Sequence, residues 1–268
     1  MIVIYHSNCL DGFAAAYIAS LRYPEATFFA AQYGDPPPCV DGQDVLIVDF
    51  SYSRDVLLDM WTRTRTLRVL DHHKTAEASL AGLDCCTFDL ARSGAMLIWD
   101  HLFAGVPAPL LVSYVQDRDL WLWKLPHSRE VSAYLWTIPR IFESWALARG
   151  RIETDMDAVV KLGAFALRVS DEYVESHVPR AGRVEIDGHV VPCINTTFAV
   201  SELVGELAQG HPFAAGWFQR DDGRFVYSLR SREPSDVDVS AIARKYGGGG
   251  HARAAGFTLA CLLPLVSE

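Results

Sequence analysis

Nine side chains in the first 119 residues stand out by type and setting as candidate metal ligands: His6, Cys9, Asp11, Asp49, Asp71, His72, His73, Asp117 and Asp119. Carboxylates and imidazoles together suit Mn2+, and less selectively Mg2+, Fe2+ or Zn2+. Asp49 closes the apolar run Val45–Val48, where a carboxylate costs free energy unless it is paired or bound to a cation. Two divalent ions a few ångströms apart can activate a water and neutralise the charge that develops on a phosphodiester. Each residue alone is commonplace, since an Asp at a strand end often caps a helix and a lone His is often structural. The order carries more: His-x4-Asp-Gly after a first strand, an Asp at a later strand end, and Asp-His-His at the next.

The elements that must position these groups are legible as alternating apolar runs and helical patterns. Strands are predicted at Ile2–Tyr5, Thr27–Ala31, Val45–Val48 and Leu67–Leu70. Helices are predicted over Gly12–Leu21, Arg54–Thr64, Gly94–Leu102 and Pro109–Val115. Strands alternating with helices favour βαβ units and a parallel sheet, and fully apolar strands fit a sheet covered on both faces. Three of these strands run into the acidic and His-bearing segments, and open α/β sheets bind ligands beyond the carboxyl ends of their strands. From Val131 to Val178 the pattern is largely helical and reads as a connection between two domains. After Pro179 come strand-like Val184–Ile194 with an Asp-Gly-His turn, helical Phe198–Ala208, and two strands flanking Asp221-Asp222-Gly223, a hairpin signal. A helix over Val237–Tyr246, a four-glycine run and a final strand complete the chain.

The bulk composition limits the partners. The 268 residues are half hydrophobic, enough to bury a core in one large or two small domains. The formal net charge of −9 lacks the basic footprint of proteins that grip long nucleic acid, so no long duplex is expected. A small phosphate compound remains compatible, because local charges or bound cations can reverse the field at one site. Six cysteines without a CxxC read as reduced thiols in a cytoplasmic protein. The N-terminus shows neither a secretory signal nor a membrane span, and no membrane partner is expected.

Four segments in this order, HSNCLDGFAAA at 6–16, VDFS at 48–51, DHH at 71–73 and YVQDRDLW at 114–121, resemble the DHH phosphoesterase superfamily of RecJ-like exonucleases, NrnA-like oligoribonucleases and family II pyrophosphatases. YSLRS at 227–231 and GGGGHARAAGF at 247–257 resemble its associated substrate domain. The resemblance implies an α/β chain. A parallel-sheet catalytic domain (1–130) would be joined by a helical connector (131–180) to a smaller α/β substrate domain (181–268), with the active site in the cleft between them. Carried across by position, His6 and Asp49 resemble ligands of one Mn2+ ion. Asp11, Asp49, His72 and Asp117 resemble those of a second, with Asp49 bridging and Mg2+ or another divalent ion as an alternative. Asp117 matches the fourth acidic ligand better than Asp119. Asp71 would support the catalytic site from behind the ligands, and His73 resembles the residue that touches the scissile phosphate.

One position departs from the pattern. Many members have an Asp two residues before the one matching Asp11, and here it is Cys9. A thiolate is a softer ligand that favours other metals, while a packed small residue is the plainer reading.

In the C-terminal part, the resemblance implies that Gly248, Gly249, Gly250, His251 and Arg253, with Arg230, hold the terminal nucleotide or phosphate; Asn195 and Ser228 are weaker candidates. By composition alone the glycine run is either a flexible loop or an anion cradle. Trp121, Trp123 and Trp136 have the rings to stack bases, but at these spacings aromatics more often fill a core or a domain seam, and Tyr17 has the same standing. The activity implied is metal-dependent hydrolysis of short oligonucleotides or dinucleotides to mononucleotides. Alternatives are a single-stranded DNA exonuclease, a cyclic-dinucleotide phosphodiesterase and a non-catalytic nucleotide-binding regulatory module. A homodimer is compatible with all of them.

Overall fold

The computed structural model describes residues 1–7 and 9–266. The chain divides into two compact units, Met1–Leu167 and the segment from Arg168 onward. The first unit contains β1 (Ile2–His6), α1 (Leu10–Arg22), β2 (Thr27–Ala31), β3 (Asp44–Val48), α2 (Arg54–Arg63), β4 (Thr66–Asp71), α3 (Lys74–Ser79) and β5 (Cys86–Phe88). It continues with α4 (Gly94–Leu102), α5 (Leu110–Asp119), α6 (Ser128–Thr137), α7 (Phe142–Thr154) and most of α8 (Met156–His177). Among the described residues its strands form one five-stranded sheet, ordered β2-β1-β3-β4-β5 and parallel throughout.

Both faces of this sheet are covered, and the period of two along each strand sorts its side chains between them. Val3, Leu46, Val48 and Leu70 point to one core, packed against α1, α4, α5, α6 and α7. Ile4, Val45, Ile47 and Val69 point to the other, packed against Leu57 and Met60 of α2 and Leu80. Val131, Leu135, Trp145, Ile152 and Val159 lie in the same core as α1. The helices up to Leu167 therefore pack as part of the first unit, where the sequence pattern set them apart as a connector from position 131.

The second unit, after the C-terminal part of α8, holds β6 (Gly182–Ile186), β7 (His189–Asn195), α9 (Val200–Leu207), β8 (Ala214–Gln219), β9 (Phe225–Arg230), α10 (Val239–Lys245), β10 (Gly249–His251) and β11 (Ala254–Leu259). Its sheet is mixed, ordered β10-β11-β9-β8-β7-β6, with β7 and β8 parallel and the other neighbours antiparallel. The β6–β7 hairpin turns on Asp187 and Gly188, both with positive φ, as a two-residue connection requires. The expected hairpin at 221–223 joins β8 to β9.

The glycine run is not a free loop. Gly249 and Gly250 belong to β10, paired with β11. A Cβ on Gly248 would lie 2.0 Å from the Gly256 carbonyl oxygen, and one on Gly250 2.6 Å from that of Ala254. Close backbone packing accounts for both residues.

Candidate metal centre

The connection from β1 leads outward to β2 on one side, whereas β3, β4 and β5 lie on the other. The sheet order reverses between β1 and β3, and a crevice opens at the carboxyl ends of strands at such a switch point. His6 is the last residue of β1, Asp49 follows β3 directly, and Asp71 ends β4. These three strands are neighbours, so residues far apart in the chain arrive side by side.

Asp49 sits at the middle. It is buried and adopts φ 53°, a left-handed conformation that Asp tolerates better than most residues. Its Oδ1 lies 3.0 Å from His72 Nε2, and its Oδ2 lies 3.7 Å from His6 Nδ1. His72 Nε2 is also 3.5 Å from Asp11 Oδ2 and 3.5 Å from Asp119 Oδ2. One imidazole nitrogen thus faces three carboxylates. The ligand atoms of Asp11, Asp49 and His72 all lie within 4.8 Å of one another, and so do those of His6, Cys9 and Asp49. The two sets share Asp49.

Asp11 has a second task. Its Oδ2 accepts from Gly94 N at 2.5 Å and its Oδ1 from Ala95 N at 2.9 Å, so it caps the N-terminus of α4. Two glycines permit this assembly. A Cβ on Gly12 would stand 2.2 Å from the His6 carbonyl oxygen, and one on Gly94 2.4 Å from the Cβ of Asp49.

The Asp-His-His triplet is tied down by its first member. Asp71 Oδ1 accepts from His72 N at 2.7 Å and lies 2.7 Å from His73 Nδ1, and its Oδ2 accepts from Ser51 Oγ at 2.6 Å. Asp71 thereby orients the His73 ring. Tyr33 adds a ring at the rim, 5.5 Å from His6 and 6.2 Å from His73 between centroids.

The acid that the end of α5 brings to the cluster is not the expected one. Asp117 does not reach the cluster: its oxygens accept from Lys124 N at 3.0 Å, Leu125 N at 3.3 Å and Ser128 Oγ at 2.5 Å. It organises the turn after α5. Asp119, the last residue of α5, stands beside His72 instead. Residues two apart on a helix point in directions about 200° apart, so one helix end cannot offer both.

The electrostatics fit a divalent cation. Burial pushes the Asp11 carboxyl well above its ordinary range, and the charges of Asp49 and Asp119 add to the shift. Burial raises Asp119 as well. Burial also acts to raise Asp49, but the neighbouring imidazoles of His6 and His72 override it and hold this carboxyl far below the usual range. Burial works against charging His72, yet Asp119, Asp49 and Asp11 raise its pKa well above the ordinary value. Burial and the same carboxylates raise the Cys9 thiol, which therefore stays protonated unless a metal displaces the proton. Asp49 Oδ2 and Asp119 Oδ2 are buried without a hydrogen-bond partner. Clustered buried anions with orphaned oxygens are costly, and a divalent ion satisfies both their charge and their lone pairs.

In the second unit, Arg230 Nη2 donates to Ser201 Oγ at 2.8 Å, and Arg253 donates to the Ser235 carbonyl. Asn195 Nδ2 donates to the Trp217 carbonyl at 2.9 Å, and Ser228 lies in β9 opposite Gly216 and Gly256. Of the expected core aromatics, Trp121 and Trp136 are 40 % and 51 % exposed, so neither fills a core, whereas Tyr17 is buried. Beyond the nine candidates, the structure brings Gly12, Gly94, Ser51 and Tyr33 to the cluster. Ser51 was visible in the VDFS segment and Asp119 in the QDRD run, but no local signal marked Gly94 or Tyr33.

No family model matches the chain. It is 29 % identical to the uncharacterized protein R106 of Acanthamoeba polyphaga mimivirus, over 95 % of this chain and 66 % of that one. It is 26 % identical to the oligoribonuclease NrnB of Bacillus subtilis (strain 168), over 72 % of this chain and 53 % of the relative. The chain thus spans between half and two thirds of the length of these curated relatives. Among solved structures, an exopolyphosphatase-related protein from Bacteroides fragilis superposes with a TM-score of 0.52 at 13 % identity, covering 98 % of this chain and 87 % of that one. Among the described residues, no helix is long and apolar enough to cross a membrane.

Proposed function

From a chain with the motif order and fold of the DHH phosphoesterases, we propose a metal-dependent phosphodiesterase that hydrolyses short oligonucleotides or dinucleotides to mononucleotides. The observation that carries this reading is the meeting of Asp11, Asp49 and Asp119 around His72 Nε2 at the switch point of the sheet. The Bacillus subtilis relative is an oligoribonuclease, and the acidic chain favours a small substrate over a long one.

Asp11, Asp49, His72 and Asp119 would hold one Mn2+ or Mg2+ ion, and His6 and Asp49, with Cys9, a second. Bound there, divalent ions lower the pKa of a coordinated water and offset charge on the phosphoryl oxygens. Asp71 takes His73 Nδ1, which leaves Nε2 as the ring nitrogen for a phosphoryl oxygen. Burial opposes a charge on His73, but Asp71 raises its pKa, and an Nε2–H that donates to an anion is thereby favoured. Arg230, the backbone of Gly248, Gly249 and Gly250, His251 and Arg253 are assigned to the remainder of the substrate, as planar forks and small residues suit a phosphate.

The test sets dinucleotides, cyclic dinucleotides and longer single strands side by side with Mn2+. Linear dinucleotides are expected to be cleaved fastest, and chelation by EDTA to abolish turnover. Faster cleavage of long strands would transfer the reading to an exonuclease, and no cleavage of any substrate would refute an enzyme.

The ligand assignment separates Asp119 from Asp117. Asp119→Ala is expected to weaken Mn2+ binding at least about tenfold by titration calorimetry. Asp117→Ala should leave that affinity nearly intact while lowering stability by about 1–3 kcal/mol, since it strands two backbone N–H groups and the Ser128 hydroxyl. The reverse outcome would restore Asp117 as the ligand.

A further inference from the structure

A cavity of about 370 Å3 opens in the first unit between Leu10, at the start of α1, and the stretch Leu135–Arg140, at the end of α6. That volume is at the small end of ligand pockets, which run roughly 300–1,000 Å3. None of its lining residues belongs to the ligand cluster. Its position is nevertheless fixed to that cluster, because Leu10 lies between Cys9 and Asp11, one peptide unit from each.

The lining has the two groups a nucleotide needs. Trp136 is half exposed, with a large apolar face at the cavity. Arg140 holds its guanidinium 5.1 Å from the centroid of that indole. Among the described residues Arg140 has no carboxylate partner, although the chain carries nine more acidic than basic residues. An arginine left without an acid in an acidic protein, beside an exposed indole, is complementary to a base joined to a phosphate. Leu10, Leu135 and Ile138 supply the apolar wall on which a base edge can rest.

We propose that this cavity is the subsite for a nucleoside adjoining the scissile phosphate: Trp136 stacks on its base, and Arg140 pairs with a phosphate oxygen. The proposal deepens the nucleotide-phosphodiesterase reading and rests on it for the identity of the ligand. Stacking on a flat ring accepts every base, so the subsite confers a requirement for a nucleoside without choosing its sequence.

Two measurements on the 268-residue chain test it. In the first, metal-free protein is titrated calorimetrically with adenosine monophosphate and with ribose 5-phosphate. The nucleotide is expected to bind about tenfold more tightly. Trp136→Ala should erase that difference and Trp136→Phe should keep most of it, while Arg140→Gln should weaken both ligands alike. In the second, the ratio of kcat/KM for a dinucleotide to that for its abasic analogue should fall about five- to 100-fold in Trp136→Ala, mostly through KM. Equal losses on both substrates, or a Trp136→Ala protein that still prefers the nucleotide, would overturn the subsite. Nucleotide binding that depends on Trp136 in a protein that cleaves nothing would support the subsite and sink the catalytic reading instead.

Discussion

Asp49→Asn is expected to abolish metal-dependent dinucleotide hydrolysis, with a fall in kcat/KM of about 10^3 or more, in a protein that remains folded. Asp49 is the residue shared by both candidate ligand sets, and loss of its charge removes an anion from each. Several kcal/mol of transition-state stabilisation from metal ions correspond to a rate factor of about this size. Asn is the informative substitution because position 49 has φ 53°, and Asn populates the left-handed region more readily than Ala. Asp49→Ala should lose the same activity and about 1 kcal/mol more stability through that backbone conformation. Stability itself should respond to pH through this carboxyl. Its folded pKa is depressed, so the stability it contributes is present above the unfolded value of about 3.9 and is lost as pH falls toward the folded one. Turnover measured with Mn2+ beside a thermal melt followed by circular dichroism decides the matter. An Asp49→Asn protein that still cleaved the dinucleotide at about a tenth of the wild-type rate would remove Asp49 from the reaction.

The second large effect is expected from a residue with no side chain. Gly94→Ala places a methyl group 2.4 Å from the Cβ of Asp49 and 2.9 Å from its Oδ1. Contacts that short do not occur, so either Asp49 or the start of α4 must move. Neither move is harmless, because the backbone N–H groups of Gly94 and Ala95 hold both oxygens of Asp11. A shift of about 1 Å at a reacting group can cost roughly 100-fold in rate, and that loss is expected here in kcat/KM. Overpacking should also lower stability by about 1–3 kcal/mol. The sign is diagnostic. At an unhindered helical position Gly→Ala stabilises by about 0.4–1 kcal/mol, so a melt that moved upward with activity intact would show that the contact at Asp49 is not what keeps this position a glycine.

Much of the first unit was legible because its signals are local. Largely apolar runs ending at an aspartate marked β3 and β4, and the spacing of small and apolar residues marked α1 and α4, to within two residues. The Asp-Gly turns of the second unit were legible for the same reason, since the positive φ of Gly188 and Gly223 is what such turns require of a glycine. The end of α5 was not. The sequence reading stops that helix at Val115, but packing carries it on to Asp119, and the extra turn decides which of two acids faces the imidazole. The choice between Asp117 and Asp119 is a rotation about a helix axis, and no spacing rule contains that angle. The exposure of Trp136 was not legible for a related reason. A ring that fills a core and a ring that lines an open cavity have the same sequence spacing, and only the neighbours distinguish them.

The residue types and their order determined by themselves that acids and imidazoles would collect at the carboxyl ends of parallel strands, because strand propensity, apolar burial and the chemistry of a carboxylate are properties of short segments. Only the tertiary structure decided that β1, β3 and β4 are neighbours, that Asp119 turns inward while Asp117 turns to its own loop, and that Gly94 must lack a side chain. Those outcomes depend on distances between segments brought together by packing, and such distances are set by the summed contacts of the whole unit and not by any stretch of the chain.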